Sequence, residues 1–292
     1  MQKLLRCLLP LFLLFVAVPS LAAPGKGLLY ATTRALDFIS INPATGAPTL
    51  IGNTGVGPLP ALGVSPATGI IYAGQGQGTP LVYTVNPGTG ALTLVGDSGL
   101  GFSAISSMDF GPGNALYASV NIVGDGSTGG DNLATINPGT GIATVIGPYG
   151  GCFGGACTLE GMEAIAFDAS GTLYGTTSNG TAPPALYTIN TATGQATLVA
   201  NLSTPPPGVL GGGISALAFG CDGTLYAGTA RSGTLSTDGG TLGTLNQLTG
   251  VFTPIGHTIV NGSSLLDLAF QIPCPPVHTR GSKWGRLKTM YR

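Results

Sequence analysis

The sequence predicts an all-β fold, a five-bladed β-propeller of four-stranded antiparallel blades, closed by a blade shared between the termini. Three segments recur along the chain and lead to this prediction: a short strand ending in Tyr, a turn ending in Thr-Gly, and a strand ending in Phe. Successive Tyr strands lie 42 to 57 residues apart. Repeats of this length that contain several short strands are typical of propeller blades.

The Tyr strand and the turn each occur five times. The Tyr residues are Tyr30, Tyr72, Tyr117, Tyr174 and Tyr226, and the turns begin at Asn42, Asn86, Asn137, Asn190 and Asn246. In the fullest copies the turn reads Asn-Pro-Gly-Thr-Gly. Asn hydrogen-bonds the backbone two residues on, Pro presets φ, and Gly accepts the left-handed position, so each turn predicts a β-hairpin.

The Phe strand predicts how the ring closes. Its first copy, which matches the repeat least well, ends at Val64, and the other four end at Phe110, Phe167, Phe219 and Phe270. The first Tyr strand has no Phe strand before it, and the last Phe strand has no Tyr strand after it. We therefore expect residues 265–270 to pair with the strand at Tyr30, which removes an open sheet edge. An open β-solenoid or a stack of hairpins is the alternative.

Three segments of different composition predict the domain boundaries. Residues 1–22 combine Lys3 and Arg6 with an apolar run and a small-residue site at Ala22, as in a secretory signal peptide. Residues 23–272 form the propeller. Residues 273–292 are a basic tail, which we expect to be flexible after about Pro276. The expected localisation is secreted or periplasmic.

Composition and charge narrow the classes of partner. Charged residues make up only 7% of the chain, and the 50 Gly and 22 Pro recur at fixed places as turns, which disfavours disorder. Residues 23–272 hold all 11 acidic residues and, as bases, only Lys26, Arg34 and Arg231. An acidic domain argues against nucleic acid. The tail carries five bases and Trp284, so membrane contact is expected only through the tail.

The repeat resembles that of exported bacterial β-propeller repeat proteins, most of them of unknown function. The resemblance rests on Leu29-Tyr30, on Ile41-Asn42-Pro43-Ala44-Thr45-Gly46 and on Thr49-Leu50-Ile51-Gly52, and it covers about residues 29–270. It implies the propeller fold. It implies no activity, because propellers serve as enzymes, binders and scaffolds alike.

Three carboxylates interrupt the innermost strands that line a propeller channel. Asp109 and Asp267 fall among small residues of the Phe strands, and Glu163 lies at the start of its strand. As ligand-binding residues they predict a carbohydrate or cation site. As catalytic residues they would form the acid and base pair of a glycosidase. The alternative is structural: each carboxylate caps the backbone of a neighbouring blade or contacts channel water.

Four cysteines follow the signal segment, and an even number in an exported protein favours disulfides. Cys152 and Cys157 share a Gly-rich loop. Cys221 and Cys274 follow equivalent Phe strands, so both emerge at the same end of adjacent blades. We expect the pairs Cys152–Cys157 and Cys221–Cys274. A zinc site is the alternative, although the spacing fits no Cys-x-x-Cys pattern.

No cofactor is expected. The alternative is a calcium ion bound by Asp125 and Asp131, although the spacing of these two residues matches no known calcium loop. The two His residues suggest no catalytic triad. We therefore expect a secreted, monomeric, non-catalytic propeller that acts as a binding or protein-interaction module for a protein or glycan ligand. A glycosidase-like carbohydrate-active enzyme that uses the channel carboxylates is the alternative.

Overall fold

The structure is a computed structural model. It describes residues 27–122, 131–150, 152–153, 156–157, 161–177, 184–204, 213–229, 240–258, 263 and 265–271. The signal segment and the basic tail lie outside the described residues.

Twenty strands form five four-stranded antiparallel blades, and the chain is a five-bladed β-propeller. Blade 1 contains β1 (Leu29–Thr33), β2 (Asp37–Ile41), β3 (Pro48–Asn53) and, as its innermost strand, β22 (Leu265–Phe270). Blade 2 contains β4 (Ala61–Val64), β5 (Ile71–Gly74), β6 (Leu81–Val85) and β7 (Leu92–Asp97). Blade 3 contains β8 (Ala104–Phe110), β9 (Leu116–Asn121), β10 (Asn132–Ile136) and β11 (Ala143–Pro148).

A two-stranded ribbon, β12 (Cys152–Phe153) and β13 (Ala156–Cys157), separates blades 3 and 4 in sequence. Blade 4 contains β14 (Met162–Phe167), β15 (Leu173–Thr177), β16 (Ala185–Ile189) and β17 (Ala196–Asn201). Blade 5 contains β18 (Ile214–Phe219), β19 (Leu225–Thr229), β20 (Thr241–Leu245) and β21 (Phe252–His257). One 3-10 turn at Pro112–Asn114 is the sole helical element in the part of the chain that the structure describes.

The termini close the ring as the sequence predicts. β22 pairs antiparallel with β1, and Leu29 lies opposite Phe270 while Tyr30 lies opposite Ala269. The innermost strands β22, β4, β8, β14 and β18 contact one another in that order around the ring, and β18 returns to β22. The prediction of a shared blade is therefore confirmed.

Aromatic pairs join neighbouring blades and explain the recurring Tyr and Phe. At four of the five seams the Tyr of one blade packs on the Phe of the next, with ring centroids 5.1 to 5.6 Å apart: Tyr72–Phe110, Tyr117–Phe167, Tyr174–Phe219 and Tyr226–Phe270. The seam between blades 1 and 2 has Val64 instead of Phe. There Tyr30 stacks on Phe38 of its own blade at 5.2 Å.

A second repeated contact joins the blades at their outer edge. A Gly in the outermost strand lies against the Thr-Gly turn of the next blade, so closely that a Cβ on Gly96 would stand 2.0 Å from the carbonyl oxygen of Thr140. Gly52 meets Thr89 and Gly256 meets Thr45 in the same way. The recurring Gly of the fourth strand therefore allows backbone to pack on backbone between blades.

Candidate functional site

Asp267 lies in the middle of the ring and is fully buried, with 0% of its surface exposed. Its Oδ2 accepts hydrogen bonds from the backbone N–H of Leu62 in blade 2, at 2.9 Å, and from the Ser107 hydroxyl in blade 3, at 3.0 Å. Its Oδ1 accepts from the N–H of Leu268, also at 2.9 Å. Burial raises the pKa of Asp267 well above its usual range, and these hydrogen bonds act in the opposite direction.

Ser107 extends this network to a fourth blade. While its hydroxyl donates to Asp267, its Oγ accepts from the backbone N–H of Ile165 in blade 4, at 3.1 Å. Blades 1, 2, 3 and 4 thus meet through one carboxylate and one hydroxyl. Sequence reasoning did not identify Ser107, and the only signal was a polar residue among the small residues that precede each Phe.

Asp109 lies two residues after Ser107 on β8 and is half-buried. Its Oδ2 accepts from the backbone N–H of Phe167 in blade 4, at 2.7 Å, and its Oδ1 accepts from the N–H of Phe110, at 2.8 Å. Burial raises the pKa of Asp109 to about 7, although both hydrogen bonds lower it. Asp109 therefore caps the innermost strand of the neighbouring blade.

Glu163 occupies a different level of the ring. It is half-buried and lies in the bulge of β14 between Met162 and Ala164, close to the loop that enters the strand. The equivalent bulge residues are Ser106 in β8 and Ser215 in β18. The three predicted carboxylates therefore occupy three successive levels of the innermost strands, and two of them contact the backbone of the next blade.

The cysteines are described only in part. Cys221 lies just after β18. Cys274 lies outside the described residues. Cys152 lies opposite Cys157 in the register of the β12–β13 ribbon, a Cα arrangement that suits a disulfide. Both pairings remain predictions.

The alternative prediction of a calcium site named Asp125 and Asp131, and Asp125 lies outside the described residues. Asp131 is buried, and its Oδ1 accepts from the backbone N–H of Ile122, at 3.1 Å, and from the side-chain amide of Asn132, at 2.8 Å. In the described part of the chain, no three His, Cys, Asp or Glu residues are grouped in a way that could hold a metal ion.

Among the described residues, no helix is long and apolar enough to cross a membrane.

The loops divide the propeller into two unlike ends. At one end, which we call the uniform-turn end, all five Asn turns are six residues long, and the hairpins between the first and second strands are five or six. At the opposite end, which we call the variable-loop end, the number of residues between the second and third strands of a blade ranges from three at 34–36 to eleven at 230–240. The connections between blades there range from six residues at 98–103 to thirteen at 149–161.

Hydrogen bonds join three described loops of the variable-loop end. The backbone N–H of Gly76 donates to the Pro58 carbonyl at 3.0 Å, and that of Ser103 donates to the Gly78 carbonyl at 2.7 Å. Loops 54–60, 75–80 and 98–103 therefore form one connected surface above the seams of blades 1, 2 and 3. Glu163 lies at this same end of its strand, because β14 starts there.

A groove of about 490 Å³ lies at the uniform-turn end, in blade 5. Thr244, Leu248 and Thr253 are among its lining residues, and none of the three predicted carboxylates is. The groove and the carboxylates are therefore separate features.

Comparison with solved structures places the chain among β-propellers. A chain from a crystal structure of a nidogen/laminin complex aligns with a TM-score of 0.53 and 12% identity, over 86% of this chain and 100% of that one. A structural genomics protein of unknown function from Bacteroides thetaiotaomicron aligns with a TM-score of 0.49 and 16% identity, over 80% of this chain and 58% of that one. TolB from Acinetobacter baumannii aligns with a TM-score of 0.45 and 12% identity, over 79% and 52%.

These likenesses concern the fold alone, because the identities are only 12% to 16%. No protein-family model matches the chain, and neither does any curated protein sequence.

Proposed function

We propose that the protein is an exported, monomeric, non-catalytic β-propeller that acts as a binding or protein-interaction module, and that its ligand meets the variable-loop end. The observation that carries the proposal is the contrast in loop length between the two ends. Loops vary freely where packing does not constrain them, and binding residues are concentrated on such loops.

The uniform-turn end is determined by the fold itself. In all five Asn turns the side-chain Oδ1 accepts from the backbone N–H two residues on, at 2.9 Å: Asn42 to Ala44, Asn86 to Gly88, Asn137 to Gly139, Asn190 to Ala192 and Asn246 to Leu248. Four of these turns pack against a Gly of the preceding blade, and the turn of blade 5 packs against Ala200 and Asn201 of blade 4. Their repetition follows from assembling the ring, so recognition is assigned to the other end.

The hydrogen bonds of Asp109 and Asp267 support a non-catalytic function. A general acid or a nucleophile must reach its substrate, whereas both carboxyl oxygens of each residue accept hydrogen bonds within the protein. Of the three carboxylates, Glu163 lies at the variable-loop end, and it is the one that we assign to ligand contact. A glycosidase would instead need Asp109 or Asp267 to release a neighbouring blade.

The predicted signal segment supports export to a secreted or periplasmic location, and the predicted disulfides suit such an oxidising compartment. The propeller needs no second copy to close its ring, because both ends of the chain already complete blade 1.

A binding screen with purified neutral glycans and purified extracellular proteins tests the proposal. Two Gly residues at opposite ends provide matched variants, because a Cβ on Gly57 meets no atom within 4 Å and one on Gly88 meets only the Asn86 side chain at 3.5 Å. We expect Gly57→Arg, at the variable-loop end, to weaken binding and Gly88→Arg to leave it unchanged. Equal losses in both variants, or cleavage of a glycan that disappears in Asp267→Asn, would contradict the proposal.

A further inference from the structure

Phe102 is presented to solvent at the variable-loop end. Its side chain is 83% exposed, whereas every other aromatic side chain in the described part of the molecule is buried or half-buried. The residue lies in loop 98–103, which connects blades 2 and 3. A single exposed apolar residue is common on protein surfaces, but this one is held outward by a restrained loop that lies beside polar side chains.

The loop holds Phe102 outward by fixing the residues on either side. Leu100 packs against the core between blades 2 and 3 and anchors the loop from within. Gly99 and Gly101 flank Leu100 with φ of 73° and 74°, a left-handed conformation that Gly adopts without strain. Together these two turns direct Leu100 inward and leave Phe102 exposed.

Hydrogen bonds restrain both ends of the same loop. The N–H of Ser98 donates to the Pro80 carbonyl at 3.1 Å, and the Ser98 carbonyl accepts from the N–H of Ala143 at 2.8 Å. On the other side, Ser103 is bound to Gly78 as described above. An exposed ring on a restrained loop loses little entropy when a ligand covers it.

The surroundings of Phe102 are polar, and the one charge on this loop is acidic, because the exposed Asp97 at the end of β7 accepts from the N–H of Gly99 at 2.8 Å. The neighbouring loop 75–80 exposes Gln77 and Thr79, which offer amide and hydroxyl groups. Arg34 is the only Lys or Arg in the described part of the chain. This lack of positive charge disfavours a phosphorylated or nucleic-acid ligand. A protein-binding centre normally groups several apolar side chains, whereas the other exposed residues of loops 75–80 and 98–103 are Gln77, Thr79, Gly99 and Gly101.

We propose that this surface binds a neutral carbohydrate, with Phe102 stacking on the apolar face of one sugar ring and Gln77 and Thr79 hydrogen-bonding its hydroxyl groups. The inference rests on the proposed function and names the class of ligand. The pairing of one aromatic face with a few polar groups follows the usual chemistry of small-ligand sites.

The test is binding of the full chain to neutral polysaccharides (arabinan, xylan and β-glucan) and to their oligosaccharides. Leu248→Ala is the matched control, because Leu248 is also 83% exposed but lies at the uniform-turn end. We expect Phe102→Ala to weaken binding at least tenfold, Phe102→Trp to retain it, and Leu248→Ala to leave it unchanged. Equal melting temperatures for all three variants and the unmutated chain would show that the fold is intact.

The outcomes separate this inference from the proposed function. If the chain binds a glycan and Phe102→Ala binds it equally well, or if the chain binds a purified extracellular protein and none of the glycans, the carbohydrate assignment is wrong and the proposed function stands. If the chain binds neither class, the proposed function itself fails.

Discussion

Ser107 and Asp267 form a hydrogen bond of 3.0 Å between blades 3 and 1, which share no seam. The bond therefore spans the interior of the ring, while Leu62 and Ile165 add backbone hydrogen bonds from blades 2 and 4. The Asp267 carboxylate, which the sequence predicts as a ligand-binding group, thus binds blades 2 and 3 directly. It is linked to blade 4 through Ser107.

Removing the Asp267 carboxylate should destabilise the propeller. Asp267→Ala leaves the buried N–H groups of Leu62 and Leu268 and the Ser107 hydroxyl without their acceptor. Because each unsatisfied buried group costs about 1 to 3 kcal/mol, we expect the free energy of unfolding to fall by about 3 kcal/mol or more. Urea denaturation of the variant measures the loss.

Ser107→Ala should lower the free energy of unfolding by about 2 kcal/mol. The double variant of Asp267→Ala and Ser107→Ala should lose less than the sum of the two single losses, because the two residues share one hydrogen bond. Asp222→Ala is the control, since its exposed carboxylate accepts from the N–H of Thr224 in its own turn, and we expect a change under about 1 kcal/mol. Additive losses at Asp267 and Ser107 would mean that their contact contributes nothing.

Asp109 should give the stability a dependence on pH. Burial raises its pKa from the ordinary value of 3.8 to about 7. Between these values the folded chain holds a proton that the unfolded chain has lost, so the free energy of unfolding falls as the pH rises from about 4 to about 7. Urea denaturation across this range should show a shallower decline for Asp109→Asn.

Asp267 also has a raised pKa and acts in the same direction, but it is present in both proteins. The difference between the two pH curves therefore isolates Asp109. Parallel curves for Asp109→Asn and the unmutated chain would show that Asp109 titrates at its ordinary pKa when folded.

Sequence patterns predicted the blades well because the turn chemistry is local. They also marked Val64 as the weakest Phe copy, but the compensation by Phe38 depends on side-chain packing that no repeat reveals. The hydrogen-bond partners of the carboxylates could not be predicted from such local patterns, since Asp267 binds a backbone N–H group that lies 205 residues away along the chain. Asp109 and Asp267 were both predicted as candidates for ligand or backbone contact, and only the closed ring shows which N–H groups they bind.

The outer seam depends on Gly for steric reasons, which a pair of Ala substitutions can demonstrate. A Cβ on Gly96 would stand 2.0 Å from the Thr140 carbonyl oxygen, and because this atom is backbone, blades 2 and 3 would have to separate. We expect Gly96→Ala to lower the free energy of unfolding by about 1 to 3 kcal/mol. Thermal or urea denaturation provides the measurement.

Gly57→Ala is the matched control, because its Cβ meets no atom within 4 Å and its φ is not left-handed. We expect it to be neutral or slightly stabilising, since Ala restricts the unfolded chain. A loss at Gly57 as large as that at Gly96 would point to backbone conformation rather than to seam packing.

The four cysteines that follow the signal segment should form two disulfides. We expect non-reducing peptide mapping to find Cys221 linked to Cys274 and Cys152 linked to Cys157. The first bond would fasten the end of β22 to blade 5 where the ring closes, because Cys221 follows β18 and position 274 comes soon after β22. Such a bond encloses about fifty residues, and by the chain-entropy estimate Cys221→Ser should lower the free energy of unfolding by about 4 kcal/mol.

The ribbon bond provides the internal comparison. Its short loop restricts the unfolded chain less than the Cys221–Cys274 bond does, so by the same estimate Cys152→Ser should lower the free energy of unfolding by about 2 kcal/mol. The backbone register supports this pairing, since Cys152 and Cys157 lie opposite each other across β12 and β13. A peptide linking Cys221 to Cys152 or Cys157 would contradict both pairings. It would also tie blade 5 to the connection between blades 3 and 4.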